Sequence, residues 1–206
     1  PCGTTNDFAC SLGIPRDPIR AAKRIIKYEP RPTDIGIFNG DYFSYVAAFG
    51  AFTEVTYTTP QEIKNNIGHA AYVLEAVKKL PSLSPYHMKI TYDGNVIEDD
   101  FIIGMITNAS QIGGFPTPNA KLAEFDDGLF EALFVKYPTN PIDLQATATA
   151  YFMGEINPEY MYQFKAGKIV IESLEPIAWT FDGEFGGNVT YASIINCKKA
   201  LNLIRK

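Results

Sequence analysis

The spacing of hydrophobic positions changes several times along this chain, and each change marks an element. Residues 5–12 predict a short helix that ends at Gly13, with Pro15 beyond it as a stop. Asp17-Pro18 supplies an N-cap and an N1 proline for a second helix over 19–27. In that helix Ile19, Ala22 and Ile26 share one face, while Arg20, Lys23, Arg24 and Lys27 share the opposite one. From Thr33 the period becomes strand-like, with strands over 33–38 and 42–49 joined by Asn39-Gly40. Thr59-Pro60-Gln61-Glu62 is a capping box opening a long helix to about Leu80, before Pro81-Ser82.

Beyond that helix the pattern is β-rich. Strands over 86–92 and 96–101 flank Asp93-Gly94-Asn95, a hairpin signal. Further strands are expected over 101–107, 130–137, 160–164, 169–173, 177–181 and 189–196. Asn140-Pro141 caps an intervening helix through Ala150, and residues 197–205 read as a closing amphipathic helix. Many short strands with hairpin turns predict an α+β fold that is mainly β, an antiparallel β-sandwich with a few helices.

Composition narrows the function classes. At 206 residues and 46% hydrophobic content the chain can bury a substantial core. A net charge of -5 argues against nucleic acid as a partner, because phosphate neutralisation requires clustered Lys and Arg. Cys2, Cys10 and Cys197 are odd in number and far apart, which fits a reduced, cytoplasmic protein better than a disulfide scaffold. No apolar run is long enough to span a bilayer, so any lipid would be met from the water side, by peripheral association.

Asp182 and Glu184 stand two residues apart, on the same side of an extended backbone; Gly183 equally permits a tight turn. Such a carboxylate can take the proton of a reacting hydroxyl; the plain alternative is a hairpin turn. Asp34 lies among the apolar residues of a strand, a costly place for a carboxylate without a partner. Asn6-Asp7 suits a helix cap. Glu124, Asp126 and Asp127 form an acidic loop, a solvated turn or a site for a hard cation. His69 and His87 make no metal-ligand pattern.

Two of these runs carry a resemblance. Gly3-Thr4-Thr5-Asn6-Asp7-Phe8-Ala9 resembles the GTxNDFA signature of the diacylglycerol kinase catalytic family, and Asp182-Gly183-Glu184 resembles its DGE. Asp34-Ile35-Gly36 and Asp127-Gly128-Leu129 agree, whereas Gly113-Gly114-Phe115 departs from the family's GGGF by carrying Ile112 at the first position. The resemblance implies an ATP-dependent lipid kinase, most simply one converting diacylglycerol to phosphatidic acid at a membrane surface. It implies Glu184 as proton acceptor, Asp182 as its support and Asp34 at the catalytic centre. Thr4, Asn6 and Asp7 would lie beside the nucleotide. A structural Mg²⁺ would take the Asp127 carboxylate and the carbonyls of Glu124 and Leu129.

By the same analogy residues 1–30 and the closing helix, 197–206, belong with an α/β nucleotide-binding domain, and 31–196 form the sandwich. The family's Gly-rich phosphate loop precedes GTxND, so this stretch by itself is expected to be inactive, and self-association through an exposed face is an expected partner mode. The basic face of the second helix is either a solvated face or a contact for anionic lipid. A nucleotide kinase resembling NAD kinase and a non-catalytic lipid-binding module are the alternatives. Hydrolysis by Asp182 and Glu184 ranks low, because glycosidase carboxylates face each other across a cleft.

Overall fold

A computed structural model describes residues 1–3, 6–50, 84–112, 115–118 and 124–205. The capping-box helix, His69, Thr4 and Gly113-Gly114 lie outside the described residues. Two helices come first, α1 (Asp7–Ser11) and α2 (Pro18–Lys27). Asp17 caps α2 as expected, its side chain accepting from the Arg20 amide at 2.7 Å. Strands β1 (Pro30–Phe38), β2 (Asp41–Phe43), β3 (Val46–Gly50), β4 (Tyr86–Tyr92) and β5 (Asn95–Thr107) follow. Then come a small ribbon, β6 (Gln111–Ile112) with β7 (Phe115–Pro116), and β8 (Phe130–Lys136). Helix α3 (Pro141–Met153), β9 (Met161–Ala166), β10 (Lys168–Phe181) and β11 (Glu184–Ile204) complete the chain.

All the described pairings are antiparallel, in the order β2-β1-β11-β10-β3-β5-β8-β9. β4 shares the lane of β3: β10 pairs β4 through Ile169–Ser173 and β3 through Trp179–Phe181, and β5 does likewise from the other side. The sheet folds over one aromatic core as a sandwich. Phe43 on β2 stacks on Phe130 of β8, ring centroids 5.5 Å apart, although the two strands lie near opposite ends of the strand order. Trp179 sits at the centre, 4.8 Å from the ring of Phe38 and 5.0 Å from that of Phe49. Gly104 is dictated by that packing, since a Cβ there would lie 2.0 Å from the Phe49 ring. A second apolar cluster, with Met105, Leu133 and Met161 from the sheet and Leu144 and Tyr151 from α3, packs the helix on.

Three expectations need correction. Residues 197–205 are not a helix: β11 runs on to Ile204, and its last residues pair with β1, Leu201 opposite Thr33 and Ile204 opposite Pro30. A bulge at Lys199 (φ 56°) breaks the alternation there and hides the strand, and the unpaired edge of β1 supplies the hydrogen bonds that override local helix preference. The expected strand over 42–49 is two strands with different partners, divided at the Ser44-Tyr45 corner. Conversely, 96–101 with 101–107, and 169–173 with 177–181, each merge into one long strand.

Candidate active site

At the Ser44-Tyr45 corner Asp7 and Asp182, far apart in the sequence, converge. Asp182 and Gly183 form the two-residue turn between β10 and β11, with φ of 51° and 95°, so the DGE run is a hairpin turn of the primed kind. The turn aims the Asp182 carboxylate at three consecutive amides: Oδ2 accepts from Ser44 N–H and Ser44 Oγ, both at 2.9 Å, and Oδ1 accepts from Tyr45 N–H at 2.9 Å and Val46 N–H at 3.0 Å. Four donors occupy this carboxylate, which therefore orients the corner. Glu184 opens β11, is exposed, and its carboxylate is held by none of the described residues.

Asp7 enters from the other end of the chain. It is buried in α1, where Oδ1 accepts from Gln111 Nε2 at 2.8 Å and Oδ2 from the Tyr45 hydroxyl at 3.1 Å. Burial, with the Asp7 charge adding to it, pushes the nearby Tyr151 phenol far above the usual tyrosine range. Asn6 does not cap α1: its side chain bonds back to Gly3, accepting from Gly3 N–H at 2.8 Å and donating to Gly3 C=O at 2.7 Å.

Asp34 is fully buried, and the partners the sequence called for are backbone amides. Oδ2 accepts from Gly128 N–H and Oδ1 from Lys199 N–H, each at 2.7 Å. The carboxylate thus staples the acidic loop and the β11 bulge onto β1. The Asp34 carbonyl accepts from Asn108 Nδ2 at 2.9 Å, and the Asn108 amide donates to the Tyr45 carbonyl at 3.0 Å. Asp7, Asp34 and Asp182 therefore belong to one connected set of hydrogen bonds that runs through Tyr45 and Asn108.

Residues 45–205 match the family model described as YegS C-terminal NAD kinase beta sandwich-like domain, and residues 1–38 match the diacylglycerol kinase catalytic domain. The chain belongs to the diacylglycerol kinase-like family with the YegS-type C-terminal domain. It is 38% identical over 191 residues to the diacylglycerol kinase of Bacillus subtilis (strain 168), covering 91% of this chain and 62% of that protein. To the diacylglycerol kinase of Staphylococcus aureus (strain bovine RF122 / ET3-1) it is 34% identical, covering 98% of this chain and 64% of the other. The chain thus spans a little under two thirds of the length of these relatives. The crystal structure of a diacylglycerol kinase from Bacillus anthracis str. Sterne superposes with a TM-score of 0.71 at 26% identity, covering all of this chain and 65% of the other. Another solved structure from that strain reaches a TM-score of 0.79 at 29% identity, covering 100% of this chain and 68% of that one.

A family of this kind uses ATP and, typically, a divalent metal. The acidic loop suits a hard cation in kind, since its donors are oxygens on a tight turn. Among the described residues no group of three or more His, Cys, Asp or Glu side chains forms a metal cage. Asp127 already accepts from Leu129 N–H at 2.8 Å and from Lys165 Nζ at 3.2 Å, and Lys165 also reaches Glu131 at 3.0 Å. Burial raises the Glu131 carboxyl pKa despite that contact; burial opposes the Lys165 charge too, but the two carboxylates outweigh it and keep the ammonium charged. Glu124 is exposed at the head of the loop.

The sequence assigns no role of their own to Ser44, Tyr45, Asn108 or Gln111. Ser44 and Tyr45 sit inside what reads as one continuous strand, and their signal is the polar Ser interrupting an apolar run. Asn108 closes a β5 whose last seven residues are buried, where an unpaired amide would be costly, and that signal was legible.

Proposed function

We propose that this chain carries the hydroxyl-activating part of an ATP-dependent lipid kinase, with diacylglycerol as the acceptor and phosphatidic acid as the product. The observation that carries this reading is the convergence of Asp7, Asp34 and Asp182 through Tyr45 and Asn108, beside an exposed Glu184 with no protein partner among the described residues. The names of the curated relatives support diacylglycerol as the acceptor.

In this mechanism Glu184 takes the proton from the lipid hydroxyl as its oxygen bonds to the γ-phosphorus of ATP, the bond from that phosphorus to the bridging oxygen breaks, and ADP leaves. Asp182 fixes the hairpin, and Asp34 fixes the floor formed by the acidic loop and the β11 bulge. Asp7 is held by Gln111 and Tyr45, so it sets the position of α1 beside the nucleotide. Thr4 and Asn6 complete that nucleotide side. Asp127, with the carbonyls of Glu124 and Leu129, would hold Mg²⁺, whose charge would pin the loop that Asp34 also grips.

Lipid is met at the bilayer surface. No α2 residue is buried among the described residues: Ile19 is 66% exposed and Ile26 89%, opposite Arg20, Lys23, Arg24 and Lys27. An exposed amphipathic basic helix suits anionic headgroups. Replacing all four cations by Gln is expected to reduce cosedimentation with phosphatidylglycerol vesicles at least several-fold; unchanged cosedimentation would retire this role.

The decisive assay is ATP-dependent phosphorylation of a panel of diacylglycerol, sphingoid lipid and NAD. It compares the chain alone with the chain joined behind the N-terminal part of the Bacillus subtilis relative. Activity on diacylglycerol in the joined form only, lost in Glu184→Gln, is the expected result. Transfer to NAD would point to the nucleotide-kinase reading, and lipid binding with no transfer to any acceptor would leave a binding module.

A further inference from the structure

Tyr45 stands where two parts of the site meet, and it contributes different atoms to each. Its backbone amide donates to Asp182 Oδ1 at 2.9 Å, in the turn that leads to Glu184. Its phenol donates to Asp7 Oδ2 at 3.1 Å, at the start of α1. Its carbonyl accepts from the Thr107 hydroxyl and the Asn108 amide, both at 3.0 Å, which anchors the corner to β5. The ring packs against the second apolar cluster and lies 6.3 Å from that of Phe8, tilted by 47°. With the ring packed and both backbone groups bonded, the side chain is a stiff spacer between α1 and the β10–β11 turn.

We propose that Tyr45 is a positioning residue that couples the nucleotide side of the site to the hydroxyl-activating hairpin. This deepens the kinase reading and rests on it. Carboxylates 175 positions apart in sequence (Asp7 and Asp182) both bond to this one residue, so tightening at α1 can reach the turn that carries Glu184 through Tyr45. The proposal rests on spatial continuity, bonds from one residue to both carboxylates, and the exchange measurements below test whether energy follows it.

Tyr45→Phe removes the phenolic oxygen alone, and Asp7→Asn removes the accepting charge while keeping the shape. In the chain as it stands, amide hydrogen exchange of segments 7–14 and 182–186 is measured for wild type, both variants and the double variant. Each single variant should speed exchange in both segments, by about tenfold for loss of one hydrogen bond. The double variant should be slower than the product of the two single effects, because both variants weaken the same link. Faster exchange confined to 7–14, or no change in either segment, overturns the coupling.

The joined, active form separates this idea from the kinase reading. There Tyr45→Phe should lower kcat about tenfold with the KM for diacylglycerol unchanged, a split that a general loss of folding would not produce. Wild-type kcat in an active Tyr45→Phe protein also overturns the proposal. An inactive wild-type joined protein counts against the kinase reading alone, and the exchange measurements still decide the coupling.

Discussion

A carboxylate that accepts hydrogen bonds on both oxygens holds its neighbours in place, whereas one that accepts none is open to a substrate. Asp34 and Asp182 are of the first kind and, among the described residues, Glu184 is of the second. Substitutions should therefore divide by readout. Asp34→Asn swaps one acceptor oxygen for an NH₂ facing a backbone N–H, and leaves a buried amide unsatisfied. Its expected cost in urea denaturation is on the order of 2 kcal/mol. Glu184→Gln touches no described partner and should stay within about 0.5 kcal/mol of wild type while abolishing transfer in the joined form. A urea midpoint for Asp34→Asn equal to that of wild type would sink the stapling role. The burial of Asp34 was legible from its place in an apolar strand. Its partners were not, because Gly128 and Lys199 lie 94 and 165 positions away and offer only backbone, which carries no residue signature.

At the scale of elements, turn chemistry was the most readable feature. Asn39-Gly40, Asp93-Gly94 and Asp182-Gly183 all adopt positive φ at both positions, as two-residue hairpins require. The β4–β5 hairpin adds a charge cluster that pairing register creates: His87 stands opposite Asp100, with Nδ1 2.8 Å from Asp100 and Nε2 3.4 Å from Glu98. Hydrogen bonds to Asp100 and then Glu98 raise the His87 pKa above its ordinary 6.5. A raised folded-state pKa means that the protonated ring stabilises fully below the unfolded value, and the contribution fades as pH rises through the folded one. The difference in melting temperature between wild type and His87→Gln should thus be largest near about pH 5.5 and vanish by about pH 9. A difference independent of pH would show that the ring acts by packing. Among the described residues, the element that differs in kind from its expectation is the C-terminal strand, where a bulge disrupts period two and only the neighbouring edge of β1 reveals what the segment pairs with.

For the whole molecule, the sandwich depends on one aromatic centre shared by strands from every part of the chain. Trp179→Ala should cost about 3–5 kcal/mol, because Phe38 and Phe49 cannot both collapse into the space. Far-UV circular dichroism and the fluorescence of remaining tyrosines should report the loss in a single transition; two separate transitions would mean that the cores around Trp179 and under α3 unfold independently. By itself the sequence determined the β-rich class, most turns, the cap of α2 and the candidate carboxylates, since these follow from period, turn residues and side-chain chemistry within a few positions. Only the tertiary structure decided that residues 42–49 divide at Tyr45, that β11 returns to β1, and that Asp7, Asp34 and Asp182 share one network. The physical reason is distance along the chain: those outcomes are set by hydrogen bonds to groups far away in sequence, most of them backbone groups that every residue but proline carries alike.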